Sequence, residues 1–144
     1  MIEYISEVIY ILIIIHSDKK AVKQFLEELK EIIENSNFDI VNNLLLIKKK
    51  KNTGKEEYST PYTMTDLDYD TYDIVECLKK LKVAEYSETL IDKDDDRPPL
   101  LFVFGQNINS KQVYIKLKIK GDQTKRVLCL SFHYAEYKMT FPYA

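Results

Sequence analysis

QVYIKLKIKGDQTKRVLCLSFHYAEYKM, residues 112 to 139, decides how the rest of the chain is to be read. Two runs of alternating apolar and polar residues flank a Gly-Asp turn signal at 121 and 122, the pattern of a β-hairpin. A period of two puts Val113, Ile115, Leu117 and Ile119 on one side of the first strand and Gln112, Tyr114, Lys116, Lys118 and Lys120 on the other. In the second strand Leu128, Leu130 and Phe132 alternate with Val127, Cys129, Ser131 and His133. Sending the larger apolar side chains to a shared core brings His133 out beside Tyr114 and Lys116. Lysines on a strand face are also the ordinary means of keeping a sheet soluble, so the residues alone leave a structural role open.

Working outward, LLFVF (100 to 104) reads as a strand buried on both faces, with GQNINS behind it as a turn. Upstream, DKDDDRPP (92 to 99) is a charged breaker whose carboxylates lack the glycine and the distal glutamate of a calcium loop. A helix is expected from Thr65 or Asp66 to about Lys82, with Asp68 and Asp70 near its positive end and Lys79, Lys80 and Lys82 near its negative end. KKKKNTGKEEYSTPY (48 to 62) reads as an exposed loop, and FDIVNNLLLI (38 to 47) as one or two short strands. From Asp18 to about Asn35, Val22, Phe25, Leu26, Leu29, Ile32 and Ile33 recur at helical spacing, and Ser17 or Asp18 can cap the start. Residues 1–17 are rich in β-branched side chains and read as a strand or a sticky apolar arm. Helix, strand, helix, then a three-strand meander predicts an α+β fold, an antiparallel sheet with helices on one face.

The 144 residues fit one domain, and 45% hydrophobic content is enough for a core. Residues 1–96 hold 13 basic and 21 acidic side chains, a net of −8, while residues 97–144 hold 8 and 2, a net of +6. That asymmetry points the C-terminal part at a polyanion. Cys77 and Cys129 form no CxxC pair and lie at no zinc-ligand spacing, so buried free thiols and a reducing cytoplasm are expected. No basic region precedes the apolar run from Val8 to Ile15, so no secretory signal is expected.

The groups on the hairpin suit RNA cleavage by attack of the 2′-hydroxyl, which needs a base, charge stabilisation at the phosphate and an acid for the leaving 5′ oxygen. His133 titrates nearest neutrality and is the candidate acid or base, with Tyr114 and Lys116 completing the catalytic set. Lys118, Arg126, Arg97, Tyr137 and Lys138 are candidates for RNA contact. No metal and no cofactor is required.

The segments VFGQNINSKQVYIKLKI (103 to 119) and VLCLSFHYAEYKMTFPY (127 to 143) resemble the C-terminal part of the MqsR family of toxins, RelE-like messenger-RNA interferases of type II toxin-antitoxin systems. The resemblance covers roughly residues 100 to 143. It implies a small RelE-like α+β domain over residues 18–144, cleavage of single-stranded mRNA, and neutralisation by a cognate antitoxin protein. By position the family's strand tyrosine falls on Tyr114, the lysine two residues on falls on Lys116, and a basic residue after Ser-Phe falls on His133. The family's upstream catalytic lysine aligns near Tyr86 and Ser87, where no lysine stands, and its glutamine near LLFVF has an apolar counterpart. Those departures keep a second reading open, a non-catalytic module of the same fold that holds RNA or an acidic protein. The apolar arm could also mediate a homodimer.

Overall fold

The structure, a computed structural model, describes residues 14–51, 53–91 and 100–144. Its strands are β1 (Ile14–Ile15), β2 (Leu44–Leu46), β3 (Tyr86–Leu90), β4 (Leu101–Ile108), β5 (Lys111–Lys120) and β6 (Arg126–Tyr134). They form one six-stranded sheet in the order β1-β3-β4-β5-β6-β2, antiparallel throughout except where β2 runs parallel to β6. The α-helices are α1 (Lys19–Glu34), α2 (Thr60–Leu67) and α3 (Thr71–Lys79). The fold is α+β, the class expected from the order of the patterns. Among the described residues no helix is long and apolar enough to cross a membrane.

Helix α1 forms where its apolar stripe and its cap agree. Asp18 accepts a hydrogen bond from the Ala21 N–H at 2.8 Å, and Val22, Phe25, Leu26, Leu29 and Ile33 are all buried. Phe25 stacks on Phe102 of β4 with ring centroids 4.2 Å apart, which seats the helix on the sheet. The single helix expected from Thr65 to Lys82 is instead two. Asp68 adopts a left-handed conformation (φ 56°) that ends α2, and Asp70 opens α3 with a reciprocal capping box to Asp73. Ser59 caps α2 and Pro61 sits in its first turn, so the loop expected to run to residue 62 gives way to helix at Thr60. Within the segment 38 to 47, only Leu44–Leu46 is strand.

Strand β4 corrects another expectation, because the turn signal GQNINS is mostly strand. It continues to Ile108, and only Asn109 (φ 51°) and Ser110 (φ 67°) make the two-residue reversal into β5. Gly105 lies inside the strand for a packing reason: a Cβ there would meet the Phe141 ring at 2.7 Å and the Met139 sulfur at 3.0 Å. The C-terminal tail crosses the sheet at that glycine. Beyond it Tyr143 stacks on Tyr86 with centroids 5.7 Å apart and donates its hydroxyl to the Ser17 carbonyl at 2.6 Å. Thus one helix-covered face carries the core, Met139 and Phe141 lie on the other face at Gly105, and Tyr143 reaches the core at Tyr86.

The hairpin itself departs from strict alternation. Lys116 pairs with Ser131 and Leu117 with Cys129, so Leu130 is an extra residue opposite none. Val127 and Cys129 therefore share the core face with Phe132 and Tyr134, all buried. Leu128, expected in the core, stands on the other face opposite Lys118. Cys129 is buried as expected and its thiol is pushed up to about 12 by that burial, while Cys77 is only half-buried.

Strand β6 would leave donors bare where the short β2 stops. The Asn43 carbonyl takes the Val127 N–H at 2.8 Å, but farther along the hydroxyls of Thr60 and Thr63 accept from the N–H groups of Phe132 and Tyr134, at 3.1 and 3.0 Å. Helix α2 thus closes an edge with side chains in place of a strand. Thr63 is fully buried, so Thr63→Val, equal in shape, leaves the Tyr134 N–H without a partner. It is expected to cost about 1–3 kcal/mol in urea denaturation with an unchanged m value.

Candidate active site

Pairing in β5 and β6 sets Tyr114 directly opposite His133, and the two rings stack at a centroid distance of 5.2 Å and an interplanar angle of 12°. Lys116 lies two positions along on the same face, opposite Ser131, which puts its Cβ about 7–8 Å from that of His133 by strand geometry. The three residues expected to act together are brought to one face. Tyr114 and Lys116 are half-buried, and His133 is 9% exposed.

The imidazole has one nitrogen committed. Nδ1 lies 2.9 Å from the carbonyl oxygen of Tyr134, and since a carbonyl can only accept, Nδ1 carries the proton and Nε2 carries the lone pair. Burial is the main force that pulls the His133 pKa below its usual 6.5, with the Lys51 and Lys116 charges acting the same way and the Tyr134 carbonyl and Glu136 acting against them. The ring is therefore neutral at physiological pH. Glu136 is held by Lys55 at 2.6 Å, a contact that keeps its carboxyl below the ordinary range.

Neither Lys51, Glu136 nor Ser131 figures among the residues expected from the pattern. Glu136 follows His133 by three residues, so sequence adjacency carried a signal for it. Lys51 comes from the lysine run 48 to 51, and its influence on His133 depends on a loop whose docking no local pattern encodes.

The RNA-contact candidates divide. Tyr137 and Lys138 are exposed just beyond β6, next to His133 in the chain. Lys118 emerges on the expected face but is 2% exposed, so it does not present a surface to RNA. Arg126 is exposed at the opposite end of β6, seven residues and ~23 Å of strand from His133, too far to share its phosphate. Arg97 lies outside the described residues, as does the expected arm up to residue 13. Ile14 and Ile15 pair with β3, and Ser17 bonds Tyr86 and Thr89, so the end of that arm is built into the sheet.

A second concavity lies at the open end of the hairpin. Tyr58, Tyr62, Tyr134 and Tyr137, with Lys111, Lys138, Glu57 and Glu136, wall a cleft of about 440 Å³ at the end of the hairpin. Tyr134 is fixed in it by its hydroxyl on the Asp66 carboxylate; burial and that carboxylate push the phenol up to about 12.

Comparison with known proteins makes no assignment: no family model matches the chain, no curated protein matches its sequence and no solved structure matches it.

A histidine whose folded pKa is lowered stabilises the fold fully above the unfolded value near ~6.5 and loses that stability as pH falls through the folded value. Urea midpoints are expected to drop between pH 7.5 and 5.5, and His133→Asn to lose part of that drop. The lowered Glu136 carboxyl acts only further into acid. Parallel pH profiles for the two proteins would remove burial of His133 as the cause.

Proposed function

We propose that this chain is the toxin of a type II toxin-antitoxin system, a RelE-like endoribonuclease that cleaves single-stranded mRNA by 2′-hydroxyl attack. The observation that supports it is the stacked Tyr114–His133 pair with Lys116 on the same face. The resemblance of residues 100 to 143 to MqsR-family toxins supports the same reading. Nε2 of the neutral His133 accepts the 2′-OH proton as the 2′ oxygen bonds to phosphorus and the bond from phosphorus to the 5′ oxygen breaks. The Lys116 and Lys51 ammoniums offset charge on the pentacoordinate phosphate. Tyr114, held against the imidazole, donates its hydroxyl proton to the leaving 5′ oxygen as the bond to phosphorus breaks, and the phenolate is reprotonated from solvent. A cognate antitoxin protein, through its acidic surface, would cover the basic C-terminal half.

One observation favours a second reading. With His133 only 9% exposed and the tail laid over Gly105, the same face could hold RNA, or an acidic protein, without cutting it.

Incubation with a long unstructured RNA in EDTA separates the two. Discrete fragments ending in 2′,3′-cyclic phosphate and 5′-hydroxyl are expected, with rates reduced at least ~100-fold in His133→Ala and Tyr114→Phe. RNA that is retarded on a gel but stays intact favours the binding module, and fragments that persist unchanged in both variants overturn the assigned residues.

A further inference from the structure

The cleft at the end of the hairpin is not used by the cleavage chemistry. We infer that it is a nucleobase subsite, which takes the base next to the reacting phosphate and prefers one with an exocyclic amino group. This deepens the ribonuclease reading and rests on it for the identity of the strand as RNA.

Position comes first. The chain leaves His133 and supplies Tyr134, Ala135, Glu136, Tyr137 and Lys138 to the cleft wall without interruption, while Gln112, two residues before Tyr114 on the same strand face, supplies the other side. A strand whose phosphate sits at His133 would pass this open end of the hairpin, where its neighbouring nucleotide meets the cleft. At about 440 Å³ the space falls within the range of small-ligand pockets and admits one nucleotide.

The wall chemistry matches a base. Tyr62 is 44% exposed and Tyr137 74%, so both rings offer a stacking surface, and large exposed aromatics on a rigid frame are the usual platform for single-stranded bases. Tyr62 is fixed from below, edge-on to Tyr134 at 6.5 Å. Tyr134 in turn is held by Asp66 on its hydroxyl and by the Lys111 ammonium 4.6 Å over its ring. Lys111 and Lys138 bring positive charge to the rim, where the backbone phosphate would pass.

Preference follows from the acceptors. Glu136 is occupied by Lys55, whereas Glu57, the other carboxylate of the cleft, forms no ion pair among the described residues. A carboxylate can only accept, so it favours the exocyclic amino groups of adenine, cytosine or guanine over uracil, whose single edge donor, N3–H, is flanked by two carbonyl oxygens that repel the carboxylate.

The test uses fluorescein-labelled 2′-O-methyl tetranucleotides, which have no free 2′-hydroxyl and cannot be cleaved, with binding read by anisotropy. The A and C oligonucleotides are expected to bind at least about fivefold tighter than U. Tyr62→Ala should weaken binding of the A oligonucleotide about tenfold while the protein keeps a cooperative melting transition well above the assay temperature. Tyr137→Ala provides an independent check of the platform, and Glu57→Gln should reduce the preference over U to below twofold. Equal binding of the three oligonucleotides, no binding of any, or a preference untouched by Tyr62→Ala and Glu57→Gln overturns the subsite. Base-selective binding by a protein that leaves ordinary RNA uncut keeps the subsite and removes the ribonuclease. Cleavage with indifferent oligonucleotide binding does the reverse.

Discussion

The single extra residue at Leu130 is the constraint on which the rest of the molecule turns. Without it, strict alternation along β6 would send Val127, Cys129, Ser131 and His133 to one face and Leu128, Leu130, Phe132 and Tyr134 to the other. With it, Val127 and Cys129 join Phe132 and Tyr134 in the core, and His133 is left on the opposite side beside Tyr114. A bulge also increases local twist, which turns the end of β6 relative to its start. It is that end which meets α2 through Thr60 and Thr63, the side chains that replace a missing strand neighbour. The register shift thus lets both ends of β6 contribute to the core while His133 stays on the face of Tyr114.

Much of this was legible. The α1 stripe, the Asp18 cap, the hairpin and its partner β4 are local patterns, and local patterns survive folding. The misreadings share a different origin. Asp68 in a left-handed conformation breaks a helix that composition alone continues. Gly105 looked like a turn because glycine usually signals freedom, whereas here it marks the place where Phe141 and Met139, more than thirty residues away, press onto the strand. Counting in twos sends Leu128 to the core, across a bulge that no residue type announces. His133 was nevertheless placed correctly, since the counting that failed below Leu130 holds above it. The burial of Lys118 was invisible for the same reason as the Phe141 contact: alternation states which way a side chain points and nothing about what then covers it.

Burial changes what the site's groups can do. On an open strand face, His133 would be part-protonated at neutral pH and would act equally as acid or base. Enclosure, with lysines at 51 and 116 nearby, commits it to the neutral form, and the Tyr134 carbonyl commits the lone pair to Nε2. The same enclosure imposes a cost on access, because a histidine with 9% of its surface exposed can meet only a group that is delivered in a fixed direction. In the proposed ribonuclease that group belongs to a flexible single strand, which has no fixed direction by itself, so a neighbouring contact would have to hold it.

That requirement gives the tail its importance. Residues 134 to 138 serve the hairpin face on one side and the tyrosine cleft on the other, and their path is fixed at both ends. At the start, Tyr134 is anchored by Asp66 and its N–H by Thr63. At the finish, Met139 and Phe141 lie over Gly105, and Tyr143 is stacked on Tyr86 and bonded to Ser17. Between these anchors Glu136 is tied by Lys55 to the loop that also brings Lys51 near the imidazole. A shift of the tail would then move the cleft wall and the electrostatic surroundings of His133 together. In the proposed ribonuclease, orientation of an RNA strand and the charge state of His133 would both depend on this one short, doubly anchored segment.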